Sequence, residues 1–269
     1  MSLKRKPGVQ GLMLAGHPRS GTTILNRFLN SHIQITLTFE FRAFMALDAP
    51  YDQYVKKLRK NWRPRRLIIE RRRKNKDYPE HIINKMFLDT FLNNLERYDG
   101  CVIHFIQVLE SYERALPNIP IVGDKYPDYI DGLERFVAIP DLKRIVIYRD
   151  CRAVVRSALE MSRTKWVGKP AAKRYGTVEK ISHSWVKAIA TMEERRDKIH
   201  IIRYEDFVTD PEREAARLGV YLGVKPEGFR TKMITSARIK KYISELSVDD
   251  LKVIDDIAGP TMKRLGYIK

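Results

Sequence analysis

The chain has 269 residues, 43% of them hydrophobic, a length that fits one sizeable α/β domain with a buried core. Its formal net charge of +18 points to an acidic partner: a nucleotide, an anionic glycan, an acidic peptide, an anionic membrane or nucleic acid. No apolar run approaches the ~20 residues of a membrane span. Two cysteines are too few for a disulfide framework, and the first eight residues lack the apolar stretch of a signal peptide, so we expect a cytoplasmic protein.

The first predicted unit is a strand, a glycine-bounded turn and a helix. Val9–Ala15 contains a short apolar run typical of a buried parallel strand, and a helix is predicted from about Thr22. The turn between them runs from Gly16 to Gly21. Because the first N–H groups of a helix lack partners and its dipole is positive there, this arrangement predicts an anion site.

The residues of this turn indicate which anion it binds. Gly16 and Gly21 have the spacing of a nucleotide-binding P-loop, but Thr22-Thr23 stands where such a loop has Lys followed by Ser or Thr. The cation lies upstream, at Arg19. The loop can still hold a 5′ diphosphate-like group through backbone N–H groups, two hydroxyls and the guanidinium of Arg19.

The remaining predicted elements alternate along the chain. A helix start at Phe44 is closed by Pro50. Strands are predicted at 34–39, 119–123, 143–148 and 199–204, and helices at 80–97, 129–137, 152–161, 177–198, 211–222 and 248–265. The segment 101–116 fits either a strand or a helix, and its 3.6-residue period favours a helix. This order predicts a three-layer α/β domain of P-loop type with a mainly parallel sheet and helical additions. We expect a single domain over residues 1–269, with a basic helical or loop insert at about 51–79.

The positive charge is concentrated in that insert. Between Lys56 and Lys76 there are twelve Lys or Arg residues and one acidic residue, Glu70. Three interpretations remain open: a solvated surface, a nucleic-acid contact supported by Trp62, or a cover over the acceptor site that attracts an anionic acceptor. Of the two functional interpretations we favour the acceptor cover, and nucleic acid is the weaker candidate.

A second anion contact is predicted in the middle of the chain. Arg149 follows the apolar strand 143–148, and Asp150 is a suitable N-cap for the next helix. Ser157 lies about two helical turns further on, near the same face. Because ligands of open parallel sheets sit beyond the carboxyl ends of the strands, Arg149 and Ser157 can grip one phosphate near the first loop. An ordinary strand-to-helix junction is the alternative.

The two motifs together resemble a known family. The loop Pro18–Thr23 (PRSGTT) is similar to the 5′-phosphosulfate loop of sulfotransferases that use 3′-phosphoadenosine-5′-phosphosulfate (PAPS), and Arg149-Asp150 followed by Ser157 resembles their 3′-phosphate site. Other segments resemble the family too, and the likeness is to the tyrosylprotein sulfotransferases and their bacterial relatives. These segments are 123–127, 204–207, 257–262 and 265–267.

The resemblance implies roles for individual residues. PAPS is the expected donor and its desulfated form, PAP, the expected product. Glu40 would be the general base, and Lys125 and Arg19 would stabilise the transition state. The acceptor would bear a hydroxyl, and Arg42 would orient an acceptor that is also acidic or carboxylated. Donor-binding positions by resemblance are Arg19, Ser20, Gly21, Thr22, Thr23, Arg149, Ser157 and Tyr204. The alternatives are a helix-start carboxylate for Glu40, a surface or structural lysine for Lys125 and a surface role for Arg42.

One residue departs from the family pattern. In the tyrosylprotein branch an Arg follows the Ser by one turn, and Met161 stands there; either Lys240 or Lys241 replaces that Arg, or the grip on the 3′-phosphate is weaker. His17 could approach the sulfuryl group from within the loop.

A nucleotide kinase is a different candidate enzyme, but it would need the missing loop Lys and a carboxylate for Mg²⁺, which only Asp150 imitates. We expect no metal, because no ligand motif with metal spacing occurs.

Overall fold

The computed structural model describes residues 8–44, 50–61, 80–95, 105–139, 141–235 and 245–269. Within these ranges five strands form one sheet in the order β2-β3-β1-β4-β5, and every pair is parallel. The strands are β1 (Gln10–Ala15), β2 (Ile35–Phe39), β3 (Ile121–Lys125), β4 (Lys143–Tyr148) and β5 (His200–Arg203). The predicted α/β class with a mainly parallel sheet is therefore confirmed.

Helices connect these strands on both faces of the sheet. They are α1 (Thr22–Leu29), α2 (Tyr51–Asn61), α3 (Glu80–Asn94), α4 (Phe105–Ala115), α5 (Leu133–Val137), α6 (Cys151–Arg163), α7 (Pro170–Arg174), α8 (Val178–Glu193), α9 (Tyr204–Thr209), α10 (Pro211–Leu222) and α11 (Val248–Arg264). Parallel strands need such crossovers, and helices on both faces make the three layers.

The central strand β1 shows how the layers are divided. Leu12 and Leu14 belong to a core cluster with α1 and α10, whereas Met13 and Ala15 belong to the cluster that contains α6 and α8. All four side chains are fully buried. Successive side chains of a strand point to opposite faces, so a strand covered on both sides is apolar throughout.

Most predicted elements are confirmed, with differences at their ends. β3 runs on through Asp124 and Lys125, which the prediction placed after the strand. Predicted as the last residue of a strand, Tyr204 instead begins α9. The 129–137 segment starts as a 3₁₀-helix, Pro127–Gly132, before α5.

The predicted helix start at Phe44 is a turn, with 45–49 outside the described residues. Of the basic run, only the part on α2 is described. Across the described ranges, no helix is long and apolar enough to cross a membrane.

Candidate nucleotide site and catalytic pair

The carboxyl ends of the five strands gather the predicted site residues at one edge of the sheet. Gly16 follows β1, Glu40 follows β2, and Arg149 follows β4. Lys125 is the last residue of β3, and Tyr204 comes directly after β5. Since the strands are parallel and adjacent, chain segments far apart in sequence converge on the same crevice.

The loop after β1 requires glycine at both ends. Gly21, the N-cap of α1, has a left-handed φ of 99°, and a Cβ there would lie 2.4 Å from Cδ2 of Tyr204. At Gly16 (φ 152°) a Cβ would lie 2.3 Å from the carbonyl oxygen of Ile147. The backbone is thus drawn tightly against β4 and α9, so that the start of α1 opens onto the crevice.

Hydroxyl groups of the loop and of the first turn of α1 differ in exposure. Ser20 is fully buried, and its Oγ has no hydrogen-bond partner among the described residues. Thr22 is also buried, whereas Thr23 is exposed. A buried hydroxyl without a partner is costly, so Ser20 offers a group whose hydrogen bonding a ligand in this loop could complete.

Arg19 joins the loop to α6. Its φ of 73° is left-handed, and its Nε donates a hydrogen bond to Oγ of Ser157 at 3.0 Å. Burial lowers the pKa of Arg19; Glu160 acts in the opposite direction, and Arg149 and Arg156 lower it further. The predicted 5′ and 3′ anion contacts therefore face one another, and their cations lie close enough to repel.

Arg149 reaches the first loop through Tyr204. Its guanidinium carbon lies 4.2 Å from the centroid of the Tyr204 ring. The same buried ring fills the space beside Gly21. Tyr204 thus forms a floor shared by the loop and by Arg149, with the cation–π contact holding the guanidinium in place.

The turn that carries Arg149 is held from the carboxyl-terminal end of the chain, which sequence reasoning missed. Asp150 caps α6 by accepting from the N–H of Arg152 at 2.9 Å, as predicted. Its own N–H donates to Oε1 of Glu205 at 3.1 Å, and Oε2 of Glu205 accepts from the Tyr267 hydroxyl at 2.8 Å. Burial raises the pKa of Glu205. The resemblance of segments 204–207 and 265–267 to the family was the available signal.

Glu40 and Lys125 form an ion pair. Nζ of Lys125 lies 3.0 Å from Oε1 of Glu40, and the lysine side chain is completely buried while the glutamate side chain is 21% exposed. Lys125 also lies over the ring of Phe39, 3.5 Å from its centroid. The N–H of Glu40 donates to the carbonyl of Lys125 at 2.7 Å. The predicted base and the predicted electrophilic lysine are therefore brought together, although 85 residues separate them.

Arg42 lies beside this pair. Its guanidinium carbon is 4.6 Å from the centroid of the Tyr126 ring, and its Nε is buried without a hydrogen-bond acceptor among the described residues. Both Glu40 and Arg42 have left-handed φ values, 53° and 65°. Such conformations cost about 1–3 kcal/mol each at non-glycine residues and persist only where the surroundings enforce them.

The side chain of His17, within the loop, is held by contacts inside the protein. Its ring is buried against Tyr175, with Nε2 3.1 Å from Oγ of Ser184 and Nδ1 2.8 Å from the carbonyl oxygen of Pro18. Burial lowers its pKa to about 4, so the imidazole is neutral at pH 7. These contacts give it a structural role in fixing the loop.

The outer part of α6 carries further cations. Arg156, next to Ser157 in sequence, pairs with Glu160 at 3.2 Å and with Glu245 at 2.5 Å. Arg156, Glu160 and Glu245, together with Arg163, line a cavity of about 250 Å³. Met161 is half-buried, and the proposed replacements at positions 240 and 241 lie outside the described residues. Within the described ranges no group of three or more His, Cys, Asp or Glu side chains could hold a metal ion.

Comparison with known proteins identifies the family. Residues 12–227, most of the chain, match the sequence profile described as the sulfotransferase family. The chain therefore belongs to the sulfotransferase family, whose members are transferases of sulfuryl groups. No curated protein is similar enough in sequence to match it.

Solved structures share the fold. The sulfotransferase domain of the curacin biosynthetic pathway has a TM-score of 0.58 and 21% identity, covering 98% of this chain and 99% of that domain. The sulfotransferase domain of the Synechococcus PCC 7002 olefin synthase has a TM-score of 0.57 and 17% identity, with 96% and 98% covered. Sulfotransferase STF9 from Mycobacterium avium has a TM-score of 0.52 and 12% identity, with 96% and 77% covered. The resemblance to the tyrosylprotein branch stays a prediction.

Proposed function

We propose that this protein transfers the sulfuryl group of PAPS to a hydroxyl group of an acceptor. The observation that carries the proposal is the hydrogen bond from Arg19 to Ser157, because it spans the crevice between the two predicted anion contacts. One bisphosphate can therefore engage the loop with its 5′ end and Arg149 and Ser157 with its 3′-phosphate. Tyr204, in contact with both sides, supports the same arrangement.

The residues present fit such a donor. Three elements offer hydrogen-bond donors to the 5′ group: the buried Ser20 hydroxyl, which has no partner among the residues that the structure describes, the backbone of the loop up to Gly21, and the N-terminus of α1. Thr22 and Thr23 stand in the first turn of α1, where further hydroxyl and N–H donors are available. The mutual repulsion of Arg19 and Arg149 is relieved when an anion lies between them.

The chemistry is an in-line displacement at sulfur. Glu40 would accept the proton of the acceptor hydroxyl while the acceptor oxygen forms its bond to sulfur. The bond from sulfur to the 5′-phosphate oxygen breaks at the same time, and the electron pair leaves with PAP. Lys125 and Arg19 would stabilise the negative charge that develops on this oxygen. Movement of Lys125 toward that oxygen would release Glu40 from the ion pair as a free base.

The acceptor is proposed to carry negative charge. Arg42, two residues after Glu40, presents a buried Nε that has no acceptor within the described part of the chain. Helix α2 packs against the segment that carries Glu40 and Arg42: the hydroxyl of the buried Tyr54, on α2, donates a hydrogen bond to the carbonyl of Ala43 at 2.8 Å. The exposed face of α2 carries four cations: Lys56, Lys57, Arg59 and Lys60. A positive field next to the base would concentrate an anionic acceptor there.

Calorimetric titration tests the donor. PAP should bind tightly without Mg²⁺, and ATP with Mg²⁺ should bind much more weakly. Tight binding of ATP with Mg²⁺ and no binding of PAP would reject the proposal in favour of a nucleotide kinase. The KM of candidate acceptors should then be measured at low salt and at 0.5 M NaCl. The KM of an anionic acceptor should rise at high salt, because salt screens its attraction to the cations of the protein.

A further inference from the structure

A fully buried carboxylate lies directly beneath the loop that carries Glu40. Asp124 belongs to β3, and its side chain has no solvent exposure. It precedes Lys125, whose side chain turns the other way, toward Glu40. The mechanism above does not use Asp124, and a buried carboxylate is expensive unless its environment supplies donors.

Asp124 accepts four hydrogen bonds. Its Oδ1 accepts from the Thr38 hydroxyl at 2.6 Å and from the N–H of Phe41 at 3.2 Å. Its Oδ2 accepts from the N–H of Arg42 at 2.8 Å and from the Tyr129 hydroxyl at 2.6 Å. Each oxygen thus accepts from one hydroxyl and one backbone N–H, and the two N–H groups belong to the two residues that directly follow Glu40 in the chain.

The rest of the loop is fastened around this carboxylate. The Tyr129 hydroxyl, which donates to Asp124, also accepts from the N–H of Phe44 at 3.2 Å. The Tyr112 hydroxyl lies 2.7 Å from Thr38 Oγ1 and can support that donor in turn. Asp124 is therefore the centre of a network that fixes the backbone from Phe41 to Phe44.

The fixed segment is also the strained one. Glu40 and Arg42 both hold left-handed backbone conformations that most residues avoid. Bonds formed in this conformation compensate for it: Phe41, between the two strained residues, and Arg42 itself both donate to Asp124. If they were lost, the loop could relax toward an extended path and the Glu40 carboxylate would shift away from Lys125.

We propose that Asp124 is the positioning residue of the catalytic loop, which it holds through the N–H groups of Phe41 and Arg42 so that Glu40 faces the acceptor and Lys125. This inference rests on the proposed function, in which Glu40 is the base. Asp124 is fully buried beneath the loop, so it would act on turnover through the loop and leave donor binding to the opposite side of the crevice.

The test is Asp124→Asn, with Thr38→Val as the matched control. In Asp124→Asn one carboxylate oxygen is replaced by an NH₂ group. The backbone N–H of either Phe41 or Arg42 then faces another hydrogen-bond donor, and rotating the amide only moves this conflict from one to the other. In Thr38→Val both backbone bonds remain and only a hydroxyl is lost. A displacement of the base of about 1 Å costs on the order of 10²-fold in rate. We therefore expect kcat to fall about 10²-fold in Asp124→Asn and less than about 5-fold in Thr38→Val, with PAP affinity unchanged in both.

Two outcomes would overturn the positioning role: a wild-type-like kcat in folded Asp124→Asn, or equal losses of kcat in both variants. Hydrogen exchange of wild-type protein covers the case in which Asp124→Asn does not fold. The amides of Phe41 and Arg42 should be protected without donor, and rapid exchange of both would reject the inference. Failure of the proposed function is distinguishable, because it would appear as a wild-type protein that binds no PAP.

Discussion

Replacement of Arg149 by Gln should weaken the grip on the 3′-phosphate and on nothing else. The guanidinium is half-buried on the Tyr204 ring, so its interaction with an anion is only partly screened by solvent. A hydrogen bond to a charged group contributes about 1.5–3 kcal/mol. At 1.4 kcal/mol for each factor of ten, the Kd for PAP should rise roughly 10- to 150-fold.

The assay compares two ligands that differ at a single group. Calorimetry with PAP and with adenosine 5′-monophosphate, which lacks the 3′-phosphate, should be carried out on both wild-type and variant proteins. The PAP affinity should fall as calculated, while the affinity for the monophosphate should change less than about 3-fold. The control is Arg195→Gln. Arg195 lies between α8 and β5, away from the carboxyl edge of the sheet, so this variant should leave both affinities unaltered.

The result that would refute this reasoning is a parallel loss for both ligands. Such a loss would mean that Arg149 supports the floor of the site through Tyr204 without contacting the 3′-phosphate. Unchanged binding of both ligands would remove Arg149 from the site altogether.

Three further changes follow from the same geometry. Glu40→Gln should leave PAP affinity intact and reduce turnover by about 10²–10⁴-fold, measured beside the exposed Glu194→Gln; wild-type-like turnover would exclude Glu40 as the base. Gly168→Ala should lower the free energy of unfolding by about 1–2 kcal/mol, because this glycine is left-handed. Gly21→Ala should lower it by more, because Gly21 is also left-handed and its Cβ would in addition collide with the Tyr204 ring. Only Gly21→Ala, whose Cβ meets Tyr204, should also weaken PAP binding, and equal binding in the two variants would contradict the shared floor. His17 should make stability depend on pH: its folded pKa of about 4 lies below the ordinary 6.5, so the unfolded chain binds more protons between these values. The contribution of His17 to the free energy of unfolding is then complete above about pH 6.5, and on the order of 3 kcal/mol of it is lost as the pH falls to 4. In urea unfolding, stability should not decline in this way for His17→Gln but should still decline for the exposed His183→Gln. If His17→Gln declines as steeply as wild type, or if His183→Gln also shows no decline, groups other than His17 are the cause.

Local patterns in the sequence were enough for most of the elements and for the strand, turn and helix around residues 16–21. The apolar run of β4 was predicted with its observed bounds, Lys143–Tyr148, and Asp150 was predicted as the cap of α6. These predictions succeed because burial of a strand on both faces and capping of a helix depend on residues a few positions apart. Errors concentrated at element ends, as at Tyr204, where the packing of a ring beside Gly21 outweighs local preference.

Contacts between distant segments could not be predicted in this way. Nothing within residues 38–44 indicates that the loop after β2 is strained or that it is held from β3 by Asp124. In the sequence Asp124 was only the residue before a lysine of interest. Likewise His17 contacts Ser184 and Tyr175, which lie far along the chain, and no local pattern indicates these contacts.

The sequence by itself determined the residue types: a glycine-bounded loop with an arginine, an arginine after a buried strand, a carboxylate after another, and by resemblance their family. Only the tertiary structure decided that these groups meet, because the order β2-β3-β1-β4-β5 sets which strand ends are neighbours. That order arises from packing between segments far apart in the chain, which no local pattern encodes. It pairs Lys125 with Glu40, places Arg19 against Ser157, and buries beneath the loop the carboxylate that fixes its shape.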